Sequence, residues 1–379
     1  MGRRIKIAAI QMDANPAPTG ERLARAERLV RGAAEAGAEL LVLPELFNVG
    51  YTYEAGVHRR AERLDGPTAN WMRELASRLN VHLAGSLMLL DVPEVYNALL
   101  LWAPDGRLWR YDKMCPWAWE RSAFRGGREA VVADTDLGRI GMMICADVAH
   151  LEMWRRYAGR VDLVLVSSCP PDVGASVFFF PNGETVTLDQ VGPWMAAMQG
   201  SVQETFGEML NEQVAWLGVP AVNTVGTGHI QTEIPNGTAT LLAMLPLAPW
   251  LVKYLPHAGG LQMACDFVPG CKVMDAQGSV LGALTPDQGE AFTVAQVTLP
   301  DLRPTPSGPQ PPSRLPRLAL LISDVLLPWI AWPAYRRGVR RAWGNRMAPV
   351  EIPSRRWPWM LGLGVVLGMW LFRRRRGGA

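Results

Sequence analysis

With 379 residues and 49% hydrophobic content, the chain can bury a large core, which excludes wholesale disorder. Its net charge of +3 is unremarkable as a sum but uneven along the chain, because arginine is dense from Arg314 onward while the first part is close to balanced. Those basic residues are interleaved with tryptophan and flanked by long apolar runs, which favours a membrane surface over nucleic acid. Five cysteines and five dispersed histidines show no zinc-ligand spacing, so no metal is expected. No apolar signal-peptide core follows Met1-Gly-Arg-Arg, so the main domain is expected to be cytoplasmic with reduced thiols.

The elements alternate between strands and helices. Ile5–Met12 is a short apolar run of the buried-strand type, and Glu21–Ala36 carries Leu23, Ala26, Val30 and Ala33 on one helical face. Leu40-Leu-Val-Leu-Pro-Glu45 is strand-like, Pro67–Leu79 helical, and Val81–Met88 a strand again. Asn97–Trp102 and Arg107–Asp112 form a hairpin around Pro-Asp-Gly. Gly138–Cys145 and Asp162–Ser168 are strands with a helix, Leu151–Gly159, between them. Val219–Thr224, a hairpin over Cys271–Leu284 and a last strand, Ala291–Leu299, complete a mixed-sheet α/β domain.

The character changes at Pro300. Residues 301–317 read as a stiff Pro-rich linker, and two apolar segments follow, 318–335 and 357–372, separated by a stretch with seven arginines. Residues 318–379 are therefore expected to form a membrane-associating tail of two helices. The second segment has Trp at both ends and Arg on both flanks. As a helix it would reach roughly 24 Å, short of a bilayer core of about 30 Å. Asp324, Pro328 and Pro333 make the first segment awkward as a simple span. Monotopic or re-entrant attachment is favoured over a pair of spans; a soluble apolar subunit contact is the other reading.

Three segments place reactive side chains where strands end, the usual position of sites in open α/β sheets. They are Pro44-Glu45-Leu-Phe, Lys113 to Glu120-Arg121, and Gly141-Met-Met-Ile-Cys145-Ala-Asp147. Each has a plain alternative: Glu45 as a helix-start carboxylate, Lys113 as a surface charge, and Cys145 as a small buried hydrophobe. In order and character, however, the three resemble the Glu–Lys–Cys motifs of the nitrilase, or carbon–nitrogen hydrolase, superfamily. The resemblance covers about residues 5–300. It implies a four-layer α-β-β-α sandwich that dimerises or forms a higher homo-oligomer, with no cofactor.

The same resemblance implies roles for individual residues. Cys145 would be the nucleophile, Glu45 the general base and acid, and Lys113 with the backbone N–H of Ala146 the oxyanion donors. Glu120 resembles the auxiliary glutamate. Tyr51, Trp117 and Trp119 are expected to line the substrate pocket, and Asp147 after the cysteine resembles the amidase branch more than the nitrilase branch. Between Ser168 and Asn211, and between Gly228 and Phe267, the chain is longer than the family usually is, and both stretches are apolar. They read either as internal packing or as a pocket mouth against a bilayer, admitting an apolar or lipid-like amide. The expected function is hydrolysis of a linear amide, less readily a nitrile, through a thioester at a membrane surface. An N-acyltransferase using the same thioester and an inactive membrane scaffold are the alternatives.

Overall fold

The computed structural model describes residues 2–344, so the expected second apolar segment, 357–372, lies outside the described residues. Two six-stranded halves make up the main sheet. The first runs β5 (Leu108–Asp112), β4 (Glu94–Trp102), β3 (His82–Asp91), β2 (Leu40–Val42), β1 (Arg4–Asp13) and β16 (Ala291–Thr298). The second runs β6 (Val132–Thr135), β7 (Gly138–Ile144), β8 (Leu163–Ser168), β11 (Ala221–Thr227), β14 (Lys272–Met274) and β15 (Val280–Ala283). They join only where the end of β1 pairs in parallel with β11, at Met12↔Gly226 and Asp13↔Thr227.

Strand alternation builds the layers. Ile7, Ala9, Leu40, Val42 and Leu99 of the first half share one core with Met142, Ile144, Val164 and Val222 of the second. The intervening residues of the first half, Ala8, Ile10, Leu41 and Leu83, face Ala26, Val30, Met72 and Leu75 of α1 (Thr19–Glu35) and α2 (Pro67–Leu79). On the second half, α3 (Leu151–Tyr157) and the helix Leu210–Leu217 pack through Trp154, Tyr157, Val214 and Leu217. Gly141 lets α3 approach, since a Cβ there would lie 3.1 Å from the Tyr157 ring. The result is the expected four-layer α-β-β-α sandwich.

The two long stretches form a structure that their sequences did not announce. β9 (Val177–Phe179) and β10 (Thr185–Thr187) from the first pair with β12 (His229–Glu233) and β13 (Gln262–Asp266) from the second in a four-stranded antiparallel sheet. Phe178 and Phe180 are buried while Phe179 is exposed, the period-two pattern of a half-covered strand. Strands this short carry too few residues to show periodicity, and neither stretch buries its apolar face without the other.

The first tail segment is longer than expected. A continuous helix runs Arg317–Trp343, through Pro328 and Pro333 and into the arginine stretch. Ser323, Leu327, Ala331, Tyr335 and Val339 recur every fourth residue and are buried against the main domain. Leu318, Leu321, Val325 and Trp329 lie on the opposite side and are exposed. The linker before the helix is pinned as well: Gln310 donates to the Leu151 carbonyl, Ser313 to that of Ala149, and Arg314 pairs with Glu212 at 2.7 Å.

Tyr335 gives a test of this docking. Its hydroxyl accepts the Val95 N–H at 3.0 Å and donates to Glu94. Tyr335→Phe strands a buried N–H, so stability should fall by about 1–3 kcal/mol. The expected result is a lower urea midpoint with unchanged slope; an unmoved midpoint would mean that the helix is not docked in solution.

Candidate active site

Glu45 follows β2, Lys113 follows β5 and Cys145 follows β7, so three strand ends from both halves of the sheet converge. Lys113 is wholly buried, and its ammonium lies 2.7 Å from Glu45 Oε1 and 2.7 Å from Glu120 Oε2. Glu120 Oε1 also accepts from Lys113 at 2.9 Å and from the Tyr51 hydroxyl, while its Oε2 accepts the Trp117 N–H at 2.8 Å. Asn97 on β4 donates to Glu45 Oε1 at 2.7 Å. Glu45 Oε2, buried with no hydrogen-bond partner among the described residues, is left as a free acceptor.

The turns that present these groups are conformationally unusual. Leu46, Ala118 and Cys145 have φ of 53°, 45° and 47°, a left-handed region that L side chains enter at a cost of about 1–3 kcal/mol each. They adjoin Glu45, adjoin the Glu120 loop and carry the thiol, respectively. The other two non-glycine residues with positive φ, Asn80 and Asn236, are of the type that tolerates it best. Strain is thus concentrated where the reactive side chains must leave the strand direction. Hydrogen bonds hold it: Leu46 N–H donates to Ser86 Oγ, and the buried Asp147 carboxylate accepts from Ile144 N–H, Cys115 N–H and the Tyr111 hydroxyl. Asp147 therefore ties the cysteine turn to the lysine segment.

Burial and charge set the protonation states. Burial raises the Glu45 carboxyl to about 7, with the Glu120 charge adding to the rise and Lys113 opposing it. Burial disfavours the Lys113 ammonium, but the Glu120 and Glu45 carboxylates outweigh that penalty and hold its pKa well above the ordinary value. Burial, reinforced by the Glu45 charge, pushes the Cys145 thiol well up. The sulfur therefore rests as a thiol beside a carboxylate poised to take its proton.

Cys145, Ala146, Glu120, Tyr51 and Trp117 line one small pocket of about 30 Å³, together with Leu315 from the linker. Trp119 does not reach it and borders a neighbouring apolar cavity instead. Among the expected site residues, Trp119 is thus the one set apart from Cys145. Asn97 and Asp324 were not anticipated. An asparagine within the apolar run Asn97-Ala-Leu-Leu-Leu was a usable signal, whereas Asp324 lies some two hundred residues from its partners and gave none.

Asp324 links the C-terminal helix to both catalytic loops. It pairs with Arg121 at 3.0 Å, next to Glu120, and with His150 Nε2 at 2.8 Å. His150 Nδ1 bonds the Ala146 carbonyl at 2.9 Å, and Ser323 Oγ accepts the N–H of the strained Ala118 at 3.0 Å. Burial alone would lower the His150 pKa, but hydrogen bonds to Asp324 and to Cys115, with the charge of each, raise it to about 11. With Asp324→Asn, the His150 titration followed by NMR should move down from its wild-type position, leaving only the part of the rise that Cys115 supplies. A titration unmoved by the substitution would contradict the contact.

The carbon–nitrogen hydrolase family pattern matches residues 6–187. Similar curated proteins include a nitrilase of Pyrococcus abyssi, 29% identical over 147 residues, covering 38% of this chain and 56% of the relative. An omega-amidase of Xenopus laevis is 27% identical over 176 residues, covering 43% and 62%. An omega-amidase of Escherichia coli is 30% identical over 131 residues, covering 34% and 50%. The chain thus spans about half the length of the curated relatives it matches. Among solved structures, a CN-hydrolase superfamily protein from Xanthomonas campestris superposes with a TM-score of 0.54 at 19% identity, covering 78% of this chain and 91% of that one. An amidase from Nesterenkonia sp. AN1, with the acetamide moiety of fluoroacetamide on its active-site cysteine, gives 0.55 at 21% identity, covering 78% and 90%. These structural likenesses concern the fold. Family pattern and sequence relatives agree: residues 6–187, a little under half of the chain, match the carbon–nitrogen hydrolase family, and the fold is like that of the solved members.

Proposed function

We propose that the protein hydrolyses a linear amide through a thioester on Cys145. The observation that carries this reading is the buried Lys113 ammonium shared between Glu45 and Glu120, in the same enclosure as the Cys145 thiol. Glu45 Oε2 takes the thiol proton as sulfur attacks the carbonyl carbon. Lys113 and the Ala146 N–H stabilise the oxyanion. The C–N bond breaks as Glu45 returns the proton to the leaving nitrogen, releasing ammonia or an amine. Water then attacks the thioester, Glu45 accepts its proton, and the C–S bond breaks to give a carboxylic acid and the free thiol. Glu120, Tyr51 and Asn97 act by holding Lys113 and Glu45 in place.

The finer part of the proposal is where this chemistry happens. Helix Arg317–Trp343 is long and apolar enough to cross a membrane, with a mean hydropathy of 1.5 over its most apolar stretch. One face is committed to the domain while Leu318, Leu321, Val325 and Trp329 face outward, followed by Arg336, Arg337, Arg340 and Arg341. A helix lying in the interface plane beside the domain satisfies both faces. The enzyme then works at the membrane surface, with its catalytic domain on the arginine-rich, cytoplasmic side.

Intact mass measurement after incubation with short and long amides tests the chemistry. An acyl adduct is expected on the wild type, accumulating in Glu45→Gln and absent from Cys145→Ala. No adduct and no released ammonia or amine, together with a Cys145 inert to iodoacetamide, would favour an inactive scaffold. Transfer of the acyl group to an added amine in preference to water would favour the acyltransferase reading.

The pH profile tests the base. Glu45 must be ionised to accept the thiol proton, and its pKa lies at about 7. Accordingly kcat/KM should fall on the acid side of an inflection near that pH. A profile flat through that region would remove Glu45 as the base.

A further inference from the structure

The catalytic pocket of about 30 Å³ has room for little more than the volume of one water molecule. Whatever acyl group accompanies the reacting carboxamide must extend elsewhere. Next to it lies a second cavity, of about 120 Å³. Trp117 borders both. The second cavity is walled by Phe178, Val186 and Met198 from the first long stretch, Leu241 from the second, and Ala319 and Leu327 from the C-terminal helix. Three regions remote in sequence converge to make it.

The chemistry of the wall narrows the occupant. Thr240 and Ser323 bring the only hydroxyls to it among the lining residues, and each already accepts one hydrogen bond: Thr240 Oγ1 from Trp119 Nε1 at 3.4 Å, and Ser323 Oγ from Ala118 N–H at 3.0 Å. Water in most of this space would lack the two to four polar partners it needs. Leaving the space empty forfeits dispersion contacts on every side. An alkyl chain suffers neither penalty. The same three regions also expose Phe179, Trp250, Val252, Leu321 and Trp329, a surface suited to a substrate whose chain partitions into lipid.

Resting on the hydrolase reading above, we infer that this cavity takes the alkyl chain of the substrate, so that the enzyme acts on medium- to long-chain fatty acyl amides. The carboxamide carbon sits at Cys145 Sγ, and the chain runs past Trp117 into the cavity. The C-terminal helix and both long stretches are then parts of the substrate site, and their apolar composition sets its specificity.

The test uses the full-length protein in phosphatidylcholine nanodiscs, with butyramide, octanamide and dodecanamide as substrates. Each methylene buried in the cavity should raise kcat/KM by about fourfold until the space is filled. Val186→Phe and Ala319→Phe fill the cavity from two independent walls. Each should bring the octanamide and dodecanamide values down toward that for butyramide, and should lower butyramide itself by a smaller factor than either longer amide. A kcat/KM flat or falling with chain length, or a chain-length profile that neither variant alters, would overturn the inference.

A binding measurement separates this outcome from failure of the hydrolase reading. Dodecanamide brominated at its terminal carbon should quench tryptophan fluorescence in Cys145→Ala, through Trp117 and Trp119. The quenching should disappear when Ala319→Phe is added. If no amide is turned over but this quenching pattern holds, the cavity assignment stands and the hydrolase reading fails. Absence of quenching in Cys145→Ala counts against the cavity, whatever the activity.

Discussion

A lysine ammonium withdrawn from water has to be surrounded by charge and hydrogen-bond acceptors, and the centre of this molecule is arranged around that need. Lys113 has no exposure and meets two carboxylates, Glu45 and Glu120, at 2.7 Å each. Removing one partner from a buried pair typically costs about 3–5 kcal/mol, so the three groups hold one another in place. Glu45 comes from the end of β2, Lys113 from the end of β5, and Glu120 from the loop beyond it. Satisfying the ammonium therefore fixes the relative positions of elements far apart in sequence. It also leaves one more carboxylate than ammonium in a dry site. Together with burial, that excess brings Glu45 to about 7, a value at which a carboxylate can both take and return a proton near neutral pH.

The same demand explains where the backbone is strained. Side chains on a strand project from alternate faces of the sheet, whereas those of Glu45, Lys113 and Cys145 must meet at one point beyond the strand ends. Leu46, Ala118 and Cys145 accept left-handed backbone to do so. Asp147 then holds the cysteine turn against the lysine segment through three hydrogen bonds. The Lys113 segment and the Cys145 turn thus share one buried carboxylate, so a disturbance of either is felt by the other.

The C-terminal region has a double character. By composition it resembles an appendage, yet Leu315 lines the Cys145 pocket, Ser323 accepts from the strained Ala118, and Asp324 spans Arg121 and His150. One face of its helix is integral to the site and the other is apolar and exposed. A helix of this kind can couple attachment at a surface to the geometry of the catalytic loops, because both depend on the same turns. The short antiparallel sheet built from the two long stretches has a similar place, enclosing apolar space beside the catalytic pocket rather than extending the main core.

Local chemistry was legible in the chain itself. Hydrophobic periodicity marked β1, α1, α2 and the hairpin after β4 within a few residues, because buried strands and amphipathic helices impose short-range patterns. That Glu45, Lys113, Glu120 and Cys145 come together was readable from their motifs, because each stands where a strand or a loop following one ends. The apolar character of both long stretches and of 318–335 was equally plain. What they pack against was not, since burial against a partner and burial in lipid call for the same side chains. Only the tertiary structure decided that Asn97 supports Glu45, that Asp324 reaches His150, and that Phe178, Leu241 and Ala319 enclose one cavity. Those pairings depend on chain segments separated by some fifty to one hundred and seventy residues, and hydrophobic pattern carries no information at that range.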